Sequence, residues 1–391
     1  MSDISLSKAV RSNLLSLQNT ADLMATTQGR LSTGNKVNTA LDNPTNFFTA
    51  SSLNSRAGDL NQLMDSMANG IQTIEAANNG LTSITKTLES MQSTLRQARQ
   101  DKSFHTESFA VSTTDGKFAG TATAGAGDAT TTLVFGDTTD GLGALAAPVT
   151  VNVGGLSLDE TVAAINKAAE TGGALAGAVR ATNDNGKLRI ENISTQPLAM
   201  ESGAGSSISN AVIKGNAVRA DLATQYNELR DQLDKFSDDA SFNGINLLRG
   251  DKLKITFNET GTSEMELQSN INGTKGATIN TATLKLDTSM TASELDADGD
   301  IDEYLAGVKA ALATVRSQAS SFGSSLSIVQ NRQDFTKNMI NTLETGASNL
   351  TLADMNEEAA NLLALQTRQS LSSSSLSLAS QADQSVLQLL Q

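Results

Sequence analysis

From residue 305 to residue 350 the chain places an apolar or small side chain every three or four positions. The run is Leu305, Val308, Leu312, Val315, Ala319, Phe322, Leu326, Val329, Gln333, Thr336, Ile340, Leu343, Ala347 and Leu350, with Gln333 and Thr336 as its polar members. Steps of three and four put these residues on one stripe of an α-helix. At 1.5 Å per residue the helix is a rod roughly 65–70 Å long. A single amphipathic rod cannot bury its own stripe, so the chain must supply partner helices.

Those partners are readable by the same period. Near the start it runs Val10, Leu14, Leu17, Ala21, Met24 and, past the exception Gln28, Leu31, which is the seam of a coiled coil. Gly34 follows as a helix stop. After a polar turn around Asp42-Asn43-Pro44 comes Leu60, Met64, Met67, Ile71, Ile74, Asn78, Leu81, Ile84, Leu88, Met91 and Leu95. The two successive steps of three at Leu81 resemble a stammer. The end of the chain continues more loosely through Met355, Ala359, Leu362 and Leu363, then Leu371, Leu378, Ala382, Val386 and Leu389.

Composition supports long, thin helical packing. Three prolines in 391 residues permit uninterrupted helices. Hydrophobic residues make up 38% and aromatic residues only 3%, with no Trp, which suits narrow seams better than a thick core. The absence of Cys removes disulfides and thiol chemistry, and a single His excludes a multi-histidine metal site. A net charge of −14 is repelled by phosphate backbones and anionic lipid, so neither nucleic acid nor membrane is an expected partner. No segment reaches the roughly 20 apolar residues of a membrane span. The first eight residues lack a signal core and cleavage site, pointing to a cytoplasmic protein or one exported without signal cleavage.

Between the helical ends the pattern changes. Residues 103–215 are rich in Gly, Thr, Ala and Ser, with strand-like runs at 131–135, 149–153 and 187–193 and a tight-turn pair Asn185-Gly186. A short helix is expected over 159–170, making a small α+β insert. A helix follows from 216 to about 236. Then Leu253, Ile255 and Phe257 alternate with polar neighbours, Met265 and Leu267 alternate on the return, and 258–262 make the turn of a hairpin. The terminal helices carry weak helix formers, including Asn13, Asn19, Thr20, Thr26 and Thr27 in the first and Ser370 and Ser372 to Ser375 in the last. Such helices are marginal alone, so the ends are expected to order only on assembly.

Residues that could carry chemistry do so weakly. His105 at the start of the insert reads as a solvated loop residue. Asp296, Asp298, Asp300 and Asp302 alternate like a calcium loop, but Ile301 and Gly307 stand where that loop needs Gly and Glu, so they read as an acidic turn at the positive end of the next helix. Gly125-Ala126-Gly127 and Gly203-Ala204-Gly205 complete no nucleotide fingerprint and read as turns. No catalytic residue, metal site or cofactor is expected.

Three motifs carry a resemblance. Arg30-Leu31-Ser32-Thr33-Gly34 with Asn38-Thr39-Ala40-Leu41-Asp42-Asn43-Pro44 resembles the signature after the first helix of bacterial flagellins. Ser241-Phe242-Asn243-Gly244-Ile245-Asn246-Leu247-Leu248 resembles their motif before the hairpin, and residues 380–390 look like their carboxyl end. The resemblance covers roughly 1–101 and 214–391. The run 151–166 also resembles a small motif of the outer parts of flagellins and hook-associated proteins. It implies a mainly α fold: long paired, coiled-coil-like helices from both chain ends, a β-hairpin, and an inserted small α+β outer domain. The implied segments are 1–41, the N-terminal helix of a filament inner core; 42–102, the first part of a rod; 103–213, the variable outer domain; 214–345, the second part of the rod with the hairpin at about 251–268; and 346–391, the C-terminal helix of the core.

The function so implied is that of a secreted, extracellular filament subunit, exported through the flagellar type III channel, self-assembling, and not an enzyme. The implied partners are further copies, other flagellins, hook-associated junction and cap proteins, and an export chaperone. Val10, Leu14, Leu17, Met24, Leu31, Leu362, Leu371, Leu378, Val386, Leu387 and Leu389 are the expected assembly interface. The alternative is a hook–filament junction protein with the same terminal helices; an enzyme or sugar-binding outer domain is a third reading. Two departures stand out. The insert precedes the hairpin rather than following it, and residues 91–96 depart from the basic pattern that innate immune receptors recognise in enteric flagellins. The one His also rules out the metalloprotease motif that some flagellins carry.

Overall fold

The structure, a computed structural model, describes residues 8–111, 113–114, 117–118, 131–136, 147–170, 175–202, 208–286 and 288–389. It is mainly helical, with long helices toward both chain ends and small sheets in the middle. The chain divides into two compact units, each drawn from separate stretches: 1–69, 255–265 and 329–391 form one, and 70–254 with 266–328 the other.

The first unit holds α1 (Lys8–Thr33), the beginning of α2 (Pro44–Gln100), the end of a second long helix (α5, Asp298–Thr351) and α6 (Met355–Leu389). Helix α1 stops where the sequence says it should. Gly34 takes a φ of +73° and its N–H donates to Arg30 O at 2.8 Å, a left-handed cap that a side chain would strain. Pro44 is the first residue of α2, where its missing N–H costs nothing, and Asn43 Oδ1 caps Asn46 N at 3.1 Å. Between the two helices the Asp42 carboxylate accepts from Asn38 N, Thr39 N and Thr39 Oγ1 at 2.9–3.1 Å. The Thr39 and Asn38 backbone bonds hold that carboxyl below its ordinary range. This connection runs antiparallel to the one between α5 and α6: Lys36 N donates to Thr351 O at 2.7 Å and Ala353 N to Gly34 O at 2.9 Å. Ala57 and Leu60 of α2 are buried with Ile340 and Leu343 of α5. In the same unit the Arg332 guanidinium lies 5.5 Å from the ring centre of Phe257.

The second unit contains the remainder of α2 and α5, and the row Ile74, Leu81, Ile84, Leu88, Met91 and Leu95 of α2 is fully buried. Arg316 to Glu89 and Arg99 to Asp302, each 2.9 Å, tie α5 to α2. Among the described residues the segment between α2 and α4 has three small sheets. β1 (His105–Ala110), β7 (Lys187–Asn192) and β6 (Val179–Asp184) form one in the order β1-β7-β6; β5 (Val149–Asn152), β4 (Thr132–Phe135), β8 (Leu198–Ser202) and β9 (Ala211–Ile213) form another; β2 (Thr113–Thr114) pairs with β3 (Lys117–Phe118). Helix α3 (Leu158–Ala168) starts at a capping box, Ser157 and Glu160 bonding each other's backbone N–H. Its Ile165 joins Phe135, Leu188, Ile190 and Met200 in one core.

After the insert come α4 (Ala217–Asp239), a 3-10 turn at Leu247–Arg249, the hairpin β10 (Leu253–Thr256) with β11 (Glu264–Leu267), and a second one, β12 (Asn270–Ile271) with β13 (Thr274–Lys275). A further 3-10 turn, Ala292–Leu295, precedes α5. The motif before the hairpin has a plain physical basis. Asn243 and Gly244 both have positive φ, 50° and 81°, so Phe242 and Ile245 bond each other across a tight turn. Buried Asn246 then donates to Ser237 O and Asp238 O and accepts from Leu248 N and Arg249 N, tying the end of α4 to the 3-10 turn.

The strands expected at 131–135, 149–153 and 187–193 appear as β4, β5 and β7, and the Asn185-Gly186 turn links β6 to β7. β1, β2, β3, β6, β8 and β9, and the second hairpin β12–β13, go beyond the expected strands. His105 is exposed as expected but begins a strand rather than sitting in a loop. Both Gly-Ala-Gly pairs lie outside the described residues.

Candidate functional site

Helices α1 and α6 pack against each other within the first unit. The side of α1 turned away from solvent carries Val10, Asn13, Leu17, Thr20, Met24 and Thr27, with Ala21, Arg30 and Leu31 at its margin. The inward side of α6 steps by four and three through Glu358, Leu362, Leu365, Gln369, Ser372, Leu376 and Ala379. This is a regular heptad seam with half its positions polar or small. It is crossed by Arg30 Nη1 to Glu358 Oε1 at 3.1 Å and Asn13 Nδ2 to Ser375 Oγ at 3.4 Å.

The seam within one chain takes in only part of the expected assembly interface. Of the expected residues, Val10 is buried and Leu17, Met24, Leu31 and Leu362 are half-buried. Leu14, Leu371 and Leu378 instead face solvent, 39%, 73% and 67% exposed, together with Leu15, Leu23 and Leu363. Side chains of Val386, Leu387 and Leu389 lie outside the described residues. A search for apolar periodicity follows leucines, and so passes over Thr20, Thr27, Gln369 and Ser372, which the helix pair buries or half-buries. The seam thus closes on a mixture of apolar and polar or small residues, and each terminal helix leaves further leucines open outside it. On α6 the open leucines Leu363, Leu371 and Leu378 lie on the side away from α1, and exposed apolar residues grouped on one side of a helix suit association.

In the second unit the sheet-bearing segment after α2 meets α4 and the start of α5 at a polar neck. Arg219 of α4 is fully buried and its guanidinium donates to Leu295 O (2.6 Å), Asp296 O (3.1 Å) and Asp101 O (3.1 Å) and pairs with Asp298 Oδ1 (3.1 Å). It also lies 5.3 Å from the ring centre of Phe104. Asp296 Oδ1 accepts from Thr195 N at 2.7 Å, and Asp101 Oδ1 accepts from Asn216 Nδ2 at 2.7 Å. Burial pushes the Asp296 carboxyl up to about 6. At Asp298 burial acts in the same direction but is outweighed by Lys102 and Arg219, which hold that carboxyl below its ordinary range. The acidic run is therefore divided among separate tasks: Asp296 anchors the insert, Asp298 opens α5 and holds two cations, and Asp302 pairs with Arg99. Among the described residues no group of three or more His, Cys, Asp or Glu side chains is placed to hold a metal. No described helix is long and apolar enough to cross a membrane. None of the distant partners of this neck could be read from sequence.

Comparison with known proteins places these features. The bacterial flagellin N-terminal helical region matches residues 4–123 and the bacterial flagellin C-terminal helical region residues 305–390, together just over half of the chain. Flagellin FljK of Caulobacter vibrioides is 30% identical over 170 residues, 43% of this chain and 58% of that protein. Flagellin A of Rhizobium meliloti is 41% identical over 91 residues, 23% of each chain. The chain thus spans little more than half the length of the Caulobacter relative and a quarter or less of the Rhizobium one.

Proposed function

The chain belongs to the bacterial flagellin family, and from that premise we propose that it is a structural subunit of the extracellular flagellar filament, polymerising through its two terminal helices. One observation carries this reading. The α1–α6 pair closes on a seam that is half polar or small and leaves Leu14, Leu15, Leu23, Leu363, Leu371 and Leu378 open. Burying one such leucine against a neighbouring copy contributes roughly 1.5–3 kcal/mol, offset in part by the entropy of ordering the helix. Each copy brings several, so a lattice of copies supplies what a single pair lacks. Copies of the same chain are the main partner; other flagellins, junction and cap proteins and an export chaperone are the further partners this role requires.

The test is negative-stain microscopy of seeded protein, comparing the full chain, a chain lacking the last 30 or so residues, and Leu371→Asp/Leu378→Asp. Both leucines are exposed in the single chain, so the double variant should keep its thermal transition and circular dichroism. Long filaments from the full chain and none from either variant are expected. Normal filaments from the double variant would remove the leucine face from the mechanism. A full chain that stays monomeric, with protease-resistant ends, would replace the filament reading with that of a junction protein.

A further inference from the structure

Near its start, α5 carries two stripes that point in opposite directions. Asp302, Leu305, Ala306 and Lys309 step as i, i+3, i+4, i+7, and so do Asp300, Glu303, Tyr304 and Gly307. The stripes are two residues out of phase, about 200° around the helix. The first borders a groove completed by Arg96, Arg99 and Lys102 of and beyond α2. The second borders a cleft completed by Lys285, Thr288 and Glu294.

The charges of these two surfaces are opposite. The groove holds Arg96, Arg99, Lys102 and Lys309 against Asp298 and Asp302. Two of its cations are already paired, Arg99 with Asp302 at 2.9 Å and Lys102 with Asp298 at 3.0 Å. Arg96 and Lys309 are exposed and have no ion-pair partner among the described residues. The cleft holds Glu294, Asp300 and Glu303 against Lys285 alone, and Asp300 and Glu303 are likewise exposed and unpaired among the described residues. The neighbouring Tyr304 phenol is pushed up to about 12, by burial first and then by Glu294, Asp300 and Glu303, as a negative surface requires.

We propose that the groove at Arg96 and Lys309 receives the Asp300 and Glu303 face of a second copy of this chain. The inference rests on the filament reading and adds a lateral contact to it. A chain of net charge −14 repels its own copies, so a local excess of two positive charges facing a local excess of two negative ones orients their approach. Because groove and cleft lie on opposite sides of one helix at one level, the contact is heterologous: each copy offers one surface and receives on the other. Such contacts continue without limit when the rotation does not close, as a helical polymer needs.

The experiment uses two full-length variants, Arg96→Glu/Lys309→Glu, acidic on both faces, and Asp300→Lys/Glu303→Lys, basic on both faces. Wild-type chain, each variant alone and an equimolar mixture are polymerised from seeds, and critical concentration is read by sedimentation. Each variant alone should require roughly three- to tenfold more protein than wild type, and the mixture should return toward the wild-type value, because every acidic face then has a basic neighbour. A variant that merely misfolds gains nothing from mixing. Wild-type behaviour from both variants alone, or a mixture no better than its components, overturns the contact while leaving the filament reading intact. Failure of the wild-type chain itself to polymerise overturns both.

Discussion

Asp296 shows how a single side chain changes its part when distant segments meet. In sequence it is the first of four alternating acids, Asp296 to Asp302, and belongs to a solvated turn. In the structure it is drawn out of water beneath the insert, with Thr195 N donating to it at 2.7 Å. Burial raises its carboxyl from 3.8 to about 6, against the pull of Thr195 and Arg219. Between those two values the folded chain keeps a proton that the unfolded chain has released. Stability from this group is therefore highest below the lower value and falls as pH rises toward the upper one. Asp296→Asn keeps an oxygen for Thr195 N and removes the titration. Thermal unfolding from pH 4 to pH 6 should show a smaller loss of stability in the variant than in wild type. Superimposable pH profiles would mean that Asp296 carries its charge in the folded chain throughout. Nothing at residues 295–297 announces this, because Thr195 and Arg219 are 101 and 77 positions away from Asp296.

At the scale of elements the helices were legible and their neighbours were not. Apolar steps of three and four recover α2 and α5, whose stripes Ile74 to Leu95 and Leu305 to Phe322 are the ones buried. In α6 the same period follows Leu371 and Leu378, which are open in the single chain, and not Gln369 and Ser372, which turn inward against α1. Two glycines of α2 show what contact adds to propensity. A Cβ at Gly58 would meet nothing within 4 Å, whereas one at Gly80 would stand 2.5 Å from Ala240 Cβ and 2.8 Å from Leu248 Cδ1. Gly58→Ala should stabilise the chain by about 0.5–1 kcal/mol through helix propensity and a less free unfolded state. Gly80→Ala gains the same but must push α2 off the end of α4, at about 1–3 kcal/mol of overpacking, and should be a net loss. Denaturant midpoints measure both, and a Gly80→Ala variant as stable as Gly58→Ala would show that the close approach yields without cost.

For the whole molecule, the long central helices and the terminal pair differ in what they bury. The α2 row in the second unit is closed to solvent, whereas the α1–α6 seam in the first is half polar and leaves several leucines of both helices outside. Native-state hydrogen exchange of the monomer should therefore find fast exchange along 8–33 and 355–389 and slow exchange along 70–100 and 305–328. Equal protection of the two sets would mean that the ends are stable without assembly. The sequence by itself determined the helical class, the places where α1 stops and α2 begins, the hairpin after α4 and the insert's mixed character, because periodicity, caps and turns are local and each is written in a few neighbouring residues. Only the tertiary structure decided which face of α1 and α6 closes, how Arg219 and Asp296 join the sheet-bearing segment to α4 and α5, and that the two sides of α5 border surfaces of opposite charge. Those depend on partners dozens to hundreds of residues away, and no short stretch of chain records the direction from which they come.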